Sequence, residues 1–209
     1  MNNKPFTIGL TGQTGSGKSC FSAYFREYGF SVIDCDKVSR IVTNDGSKCC
    51  KTLKEHFPSC VDFDLHLNRK ALGAIVFNSS EKLELLNKLI FPFIREEIDK
   101  EISAAYNQGS RIVILDAPTL FESGANKLCR LVISCVANES IRCERIMRRD
   151  SLSLEQAMSR IKAQKSESFF VENSDIVIEN DGGIPSLAKA AYFLSEQIKG
   201  MLYGFKKEK

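Results

Sequence analysis

The chain has 209 residues, of which 43% are hydrophobic and 26% are charged. This composition is close to the average of soluble globular proteins and excludes an intrinsically disordered chain. The length suits one α/β domain with insertions better than two independent domains. There are 29 Lys and Arg residues against 26 Asp and Glu residues, and the resulting formal charge of +3 is too small to indicate a nucleic-acid-binding surface.

The eight cysteines show no paired CxxC spacing of the kind that holds zinc. No apolar signal segment follows Met1, and no apolar run approaches the roughly 18 residues that a membrane helix needs. We therefore expect reduced thiols in a cytoplasmic protein, with neither a membrane nor a nucleic acid among its partners. Nothing in the sequence indicates the oligomeric state.

A strand, a glycine loop and a helix open the chain. Residues 6–11 form a short apolar, β-prone run, residues 12–17 are rich in glycine, and residues 18–28 show the apolar spacing of a helix. Gly29 predicts the end of that helix, and residues 30–33 predict a second strand. The chain therefore begins with a βαβ unit.

The middle of the chain has a helical pattern. From Lys37 to about Gly109, apolar residues recur every three or four positions, and Pro92 interrupts the pattern. This predicts a helical insertion of the size of a substrate-binding subdomain. Three further strands are predicted at residues 111–115, 131–136 and 176–178.

Helices separate these later strands. A basic helix is predicted at residues 140–150, and Ser153 with Gln156 forms a capping box that opens the next helix. A closing helix is predicted at about 185–199. Strands that alternate with helices predict an α/β fold in which helices cover both faces of a parallel sheet, with ligands at the carboxyl ends of the strands.

We predict a single domain over residues 1–209, with a three-layer P-loop NTPase core, a helical substrate-binding insertion and an arginine-bearing lid. The predicted core covers about 1–36, 110–120, 130–140 and 172–205, the insertion about 37–109, and the lid about 118–130 and 140–170.

Residues 12–19, GQTGSGKS, match the phosphate-binding pattern GxxxxGK[ST] in full. Glycines allow several backbone N–H groups to point into one concavity, and the helix that follows adds its positive end. Lys18 would reach the β and γ phosphates, and the Ser19 hydroxyl would bind Mg²⁺. The predicted nucleotide-binding residues of this loop are Gly12, Gln13, Thr14, Gly15, Ser16, Gly17, Lys18 and Ser19.

Three carboxylates follow predicted strands. Asp34 and Asp36 share a face if the chain is still extended there, so that one could bind a metal-bound water while the other meets the substrate. The alternative is that Asp34 caps the next helix and Asp36 is merely solvated. Asp116 resembles the Walker B carboxylate that holds Mg²⁺, and the alternative is an ordinary turn residue before Pro118.

The basic helix carries Arg142, Arg145 and Arg149 on one face. Guanidinium groups stabilise the negative charge that spreads over the transferred phosphoryl group, so a mobile arginine lid would suit this reaction. The alternative is a solvated helix face paired with nearby acids. The phosphate loop upstream favours the lid.

Six segments besides the phosphate loop agree in order and spacing with one family. They are residues 32–40, 69–77, 115–122, 145–150, 160–164 and 175–182. With the loop, they make nearly the whole chain resemble the dephospho-CoA kinase family. This resemblance implies transfer of the γ phosphate of ATP to the ribose 3'-hydroxyl of dephospho-CoA, the last step of coenzyme A synthesis.

The resemblance also implies roles for individual residues. Asp36 is the expected base, although Asp34 stays open for that role. Arg145 and Arg149 are the expected lid cations, acting together with Lys18. The expected substrate contacts are Asp34, Asp36, Arg40 and Glu122. The turn from Asn180 to Gly182 would lie against the adenine, through backbone more than side chain, and the insertion would hold the coenzyme.

Three positions depart from the family pattern. Phe91 precedes Pro92 where the family usually has His, and it can neither donate a hydrogen bond nor take up a proton. This departure questions substrate contacts in the insertion more than the phosphate site. Cys35 replaces a smaller residue, and Gln13 stands where Gly is frequent, in a variable position of the motif.

Two rival functions fit parts of the sequence. Another small P-loop kinase, acting on a nucleoside or nucleotide, would use the same loop and arginines. A nucleotide-binding regulatory switch would need no acceptor, but the chain has no NKxD guanine signature and does have an insertion suited to an acceptor.

Overall fold

The computed structural model describes residues 5–204 and contains a five-stranded sheet in the order β2-β3-β1-β4-β5. β1 pairs in parallel with β3 and with β4, and β4 pairs in parallel with β5. The strands are β1 (Phe6–Gly12), β2 (Ser31–Asp34), β3 (Ile112–Asp116), β4 (Leu131–Val136) and β5 (Ile176–Glu179). The predicted α/β fold with a parallel sheet is confirmed.

The chain forms two compact units. The first comprises the described residues up to Val32 and from Ser110 onward, and the second is Ile33–Gly109. The helices of the first unit are α1 (Lys18–Glu27), α6 (Glu139–Asp150), α7 (Leu154–Lys162), α8 (Glu167–Glu172) and α9 (Gly183–Gly204). Those of the second are α2 (Cys35–Val42), α3 (Lys48–His56), α4 (Arg69–Val76) and α5 (Ser80–Asn107).

The core of the first unit lies on the central strand of the sheet. Ile8 and Leu10 of β1 are fully buried, as are Ile114 of β3 and Ile133 of β4. Burial along the whole of β3 (Ile112–Asp116) is typical of a parallel strand covered on both faces. Phe21 of α1 packs in the same cluster. The packing fixes the carboxyl end of β1, where the glycine loop begins.

The second unit is helical, as the spacing of its apolar residues predicts, but its longest helix differs from the prediction. α5 (Ser80–Asn107) has 28 residues and continues through Pro92. The predicted interruption at Pro92 is therefore wrong. Pro92 cannot donate to the carbonyl oxygen of Lys88, but the loss of one hydrogen bond is tolerated in a long helix with other packing.

The start of α7 follows the predicted capping box. The Ser153 hydroxyl accepts a hydrogen bond from the Gln156 amide at 3.2 Å, and the Ser153 amide donates to Gln156 Oε1 at 3.0 Å. These two bonds satisfy donors that the first turn of a helix otherwise leaves without partners.

The first part of the predicted lid, residues 118–130, is packed into the first unit. Leu120 is fully buried, and a Cβ added to Gly9 of β1 would lie 2.6 Å from Leu120 Cδ2. The neighbouring Phe121 ring packs edge-to-face on the Phe169 ring, with 5.3 Å between the two ring centroids. A short 3₁₀ helix, Ala125–Leu128, then leads towards β4.

The eight cysteines are all free thiols. Burial raises the pKa of Cys129 and of Cys135 to about 12, so these thiols stay protonated. Between residues 5 and 204, no helix combines the length and the apolar character that crossing a membrane requires.

Candidate active site

The glycine loop joins β1 to α1 and has the backbone that its motif predicts. Gly15 and Gly17 have φ angles of 79° and 96°, in the left-handed region that favours glycine. At Gly12, an added Cβ would collide with the carbonyl oxygen of Cys135 on β4. The loop can therefore approach β4 and turn sharply only with glycine at these positions.

Three side chains hold the carbonyl oxygens of this loop from outside. Arg142 Nε donates to the Thr14 oxygen at 3.0 Å, and Arg145 Nη1 donates to the Gly15 oxygen at 3.3 Å. Asn180 Nδ2 donates to the Ser16 oxygen at 2.7 Å.

These bonds determine which way the loop amides face. The described peptide bonds are all trans, so the C=O and the N–H of one peptide group point in opposite directions. Because the carbonyl oxygens of Thr14 and Ser16 point outward, the amides of Gly15 and Gly17 point inward. The first amides of α1, at Lys18 and Ser19, have no intrahelical acceptor and add to the same concavity. This arrangement has the geometry of an anion-binding nest at a helix N-terminus.

The Thr14 amide is also held by a side chain. It donates to Gln164 Oε1 at 2.7 Å, and Gln164 lies between α7 and α8. The sequence placed Gln164 in a segment shared with the family but gave no sign of this contact, because the two residues are 150 positions apart.

Arg142 is a buried arginine beside the loop, and the sequence did not single it out among the arginines of α6. Only 3% of it is exposed, and its Nη2 is buried without a hydrogen-bond partner among the described residues. Burial lowers the pKa of Arg142, and the charges of Glu139 and Glu167 oppose that shift. The shared helix face of Arg142, Arg145 and Arg149 was the signal, but it could not show which arginine is buried.

Arg149 is engaged elsewhere in this structure. Its Nε and Nη2 donate to the two carboxylate oxygens of Asp150, each at 2.8 Å, and Arg160 binds the same carboxylate. The Arg149 guanidinium holds the pKa of Asp150 at about 2. The face that the sequence predicts is therefore divided: Arg142 and Arg145 contact the loop, and Arg149 pairs with an acid.

Lys18 and Asp116 form an ion pair. Lys18 is the first residue of α1, and Asp116 ends β3, whose register places it opposite Leu10 of β1. Asp116 is buried. The Lys18 ammonium is thereby held beside the glycine loop, and a carboxylate lies next to it.

The turn after β5 contacts the loop through a side chain. Asn180 is 5% exposed, and a Cβ added to Gly17 would collide with its Nδ2. The next residue, Asp181, accepts a hydrogen bond from the Asn138 amide at 2.8 Å, which ties this turn to the start of α6. Gly182 is exposed. The Asn180 side chain therefore holds the Ser16 carbonyl oxygen.

In the second unit, Asp34 caps α2. Asp34 Oδ1 accepts hydrogen bonds from the amides of Asp36 and Lys37, both at 3.1 Å. The chain is therefore helical rather than extended after Asp34, and the two aspartates do not share the face of a strand. Asp36 and Arg40 are exposed on α2.

The far end of α2 is held by Arg69, whose Nη2 donates to the carbonyl oxygens of Arg40 and Thr43 at 3.3 and 3.1 Å. Near the opposite end, desolvation raises the pKa of Glu101, and the charges of Glu97 and Asp34 add to the shift. Glu122, in the first unit, is exposed.

Comparison with known proteins identifies the family. The family model for dephospho-CoA kinase matches residues 6–186. The dephospho-CoA kinase of Bacillus cereus is 39% identical over 178 residues, which cover 85% of this chain and 89% of that protein. The chain belongs to the dephospho-CoA kinase family. The resemblance drawn from its sequence is confirmed, and with it the prediction of a nucleotide-binding phosphotransferase.

Solved structures agree with the fold of this kinase. A crystal structure of a Thermus thermophilus protein is 30% identical, with a TM-score of 0.80, and the match covers 93% of this chain and 98% of that one. Dephospho-CoA kinase from Campylobacter jejuni, at 24% identity, superposes with a TM-score of 0.60 over 93% of this chain and 97% of its own.

The packing of Gly17 against Asn180 gives a direct test of the loop in this kinase. Gly17→Ala places a Cβ on Asn180 Nδ2, so it should displace that side chain, release the Ser16 oxygen and weaken ATP binding about tenfold or more. ATP affinity is measured by isothermal titration calorimetry. Gly124→Ala is the matched control, because Gly124 also has a positive φ, 70°, but no atom within 4 Å of the added Cβ.

The control should lose about 1 kcal/mol of stability from backbone strain and keep its ATP affinity. If Gly17→Ala bound ATP as the wild type does, the assignment of Asn180 as a loop anchor would be wrong.

Proposed function

We propose that this chain transfers the γ-phosphoryl group of ATP to the ribose 3'-hydroxyl of dephospho-CoA and releases CoA and ADP. The observation that carries the proposal is the inward-facing set of amides at Gly15, Gly17, Lys18 and Ser19, in a loop whose carbonyl oxygens are held by Arg142, Arg145 and Asn180. Such a nest suits a triphosphate. Membership of the dephospho-CoA kinase family supports the choice of acceptor.

Lys18 places a positive charge at this nest. The ammonium is already beside the loop through its contact with Asp116, so it can bind the β and γ phosphates without a large change in position. The amides of Gly15 and Gly17 would hold phosphate oxygens on the other side. These groups stabilise the negative charge that spreads over the transferred phosphoryl group.

Mg²⁺ is the metal that fits these residues. The Ser19 hydroxyl is exposed on the first turn of α1, and Asp116 offers carboxylate oxygen; both are hard ligands of the kind that Mg²⁺ prefers. Within residues 5–204, no group of three or more His, Cys, Asp or Glu side chains could hold a metal alone. This suits Mg²⁺, which takes most of its ligands from water and substrate phosphates and would neutralise charge on them.

Asp36 is the proposed base. Asp36 lies exposed in the first turn of α2, and Asp34 caps that helix with one oxygen that accepts two amides. Asp36 would take the proton of the 3'-hydroxyl while the 3'-oxygen forms a bond to the γ phosphorus. The bond between that phosphorus and the β–γ bridging oxygen breaks, and ADP leaves.

Arginines and the remaining site residues complete the proposal. Arg145 would act through the loop that it holds, and Arg149 would reach phosphate by leaving Asp150, as its 57% exposed side chain allows. Asn180 and Gly182 would border the adenine. Arg40, Glu122 and the helical unit would contact dephospho-CoA, with Phe91 offering only apolar contact. The free thiols suit a cytoplasmic location.

The reaction is tested by coupled ADP release with ATP, Mg²⁺ and either dephospho-CoA or a panel of nucleosides and nucleotides. We expect ADP release with dephospho-CoA and almost none with the panel. Lys18→Ala should abolish turnover and weaken ATP binding, because the loop loses its positive charge. Turnover with a member of the panel instead would identify another small P-loop kinase, and acceptor-independent slow hydrolysis would identify a regulatory switch.

The base is tested with Asp36→Asn. This variant keeps the shape of the side chain but cannot accept the proton, so kcat should fall by about 10² or more while the ATP affinity stays close to wild type. Single-turnover kinetics and calorimetry measure these quantities separately. If turnover were retained while metal affinity fell, Asp36 would belong to the metal network and Asp34 would become the base.

A further inference from the structure

Gln164 makes a contact with the phosphate loop that neither the motif nor the reaction accounts for. Its Oε1 accepts the Thr14 amide at 2.7 Å, the distance of a short and well-formed hydrogen bond. Both residues are partly buried, so the bond is less exposed to competition from water than a surface contact.

The connection that carries Gln164 is held at both of its ends. The Gln164 amide donates to the Ile161 oxygen at 3.2 Å and thereby continues the last turn of α7. Ser166 caps α8, where its hydroxyl accepts the Phe169 amide at 3.2 Å. The Phe169 ring packs on Phe121. Gln164 is therefore presented to the loop from a short, fixed connection.

The hydrogen bond of Gln164 joins the α7–α8 region to the phosphate loop from the part of the chain downstream of Asp150. Upstream, Arg142 and Arg145 on α6 hold the loop carbonyls. Thr14 is thus held at its amide by Gln164 and at its carbonyl oxygen by Arg142.

The hydrogen bonds of Gln164 and Arg142 to Thr14 together act on the Gly15 amide, which is one of the proposed phosphate-binding amides. The peptide group between Thr14 and Gly15 carries both the oxygen that Arg142 binds and the inward-facing Gly15 amide. Fixing the preceding peptide group through Gln164 limits rotation about the Thr14 φ and ψ angles. The direction of the Gly15 amide is then set from both sides of Thr14.

We propose that Gln164 is a positioning residue for the phosphate loop and that it couples the α7–α8 segment, residues 154–172, to ATP binding. The inference rests on the proposed binding of ATP at this loop. Coupling of this kind is reciprocal: if the Gln164 contact favours the ATP-binding form of the loop, ATP must favour the contact by the same factor. Bound ATP should therefore reduce local opening of the α7–α8 segment.

The test variant is Gln164→Met, which keeps the length of the side chain and removes the acceptor oxygen. We expect the dissociation constant for ATP, measured by calorimetry, to rise about fivefold, because the Thr14 amide loses its partner. The KM for dephospho-CoA should stay unchanged. In the wild type, ATP should slow hydrogen–deuterium exchange in residues 154–172, and this protection should disappear in Gln164→Met.

The chain offers a matched control in Gln156. Its Oε1 also accepts a backbone amide, that of Ser153 at 3.0 Å, but this amide belongs to the start of α7. Gln156→Met therefore loosens the same segment without touching the loop. It should retain both the ATP affinity and the ATP-dependent protection. Equal losses in Gln156→Met and Gln164→Met would overturn the inference, since loosening of the segment alone would then explain them.

A rescue variant and the wild type separate the possible failures. Gln164→Glu keeps an acceptor oxygen, so it should retain the ATP-dependent protection even if its charge weakens ATP binding; loss of protection there would overturn the role of the hydrogen bond. The same comparison decides the question if Gln164→Met does not fold. Wild-type ATP affinity in Gln164→Met would overturn this inference alone, whereas a wild-type protein that fails to bind ATP would overturn the proposed function as well.

Discussion

Hydrogen bonds to the outward-facing carbonyl oxygens of the phosphate loop are the interaction on which the site depends. A peptide group that presents its oxygen to Arg142 or Asn180 must present its N–H on the opposite side. The glycines permit this backbone, but they do not select it, because glycine adopts many conformations at similar cost. The selection comes from side chains that lie far from the loop in the sequence.

The order of the strands explains how these side chains reach the loop. β4 and β5 follow β1 in the sheet, and their carboxyl ends lie at the same edge because the strands are parallel. α6 begins soon after β4, which brings Arg142 and Arg145 to the loop, and Asn180 follows β5 directly. On the other side of β1, β3 ends in Asp116 and supplies the partner of Lys18. The sheet thus supplies the anchors around the loop.

Much of this arrangement could be predicted from the sequence, because its signals are local. The GxxxxGK[ST] spacing contains its own chemistry, and each apolar run is long enough to indicate a buried strand. The capping box at Ser153 is a pattern of four residues. The family resemblance added the acceptor, which no local pattern contains. Nucleotide contacts by individual residues stay predictions.

The remaining features depend on contacts that local patterns do not contain. Asn180 and Ser16 are 164 positions apart, so nothing in either segment shows that an amide side chain holds the loop. Burial of Arg142 rather than Arg149 depends on how α6 packs. The sequence allowed Asp34 to lie either at the end of an extended strand or at the cap of a helix. The helix α2 begins at Cys35, so Asp34 is its cap. Pro92 lies inside α5 because its neighbours Leu89, Ile90 and Phe93 pack against the core of the helical unit, and helix propensity alone does not contain that packing.

The inward direction of the loop amides is tested most directly by NMR of the ¹⁵N-labelled protein during titration with ATP and Mg²⁺. The account predicts that the amide resonances of Gly15 and Gly17 shift strongly, while those of Gly46 and Gly124, which also have positive φ angles, stay in place. ATP binding that left the Gly15 and Gly17 resonances unchanged would contradict the account.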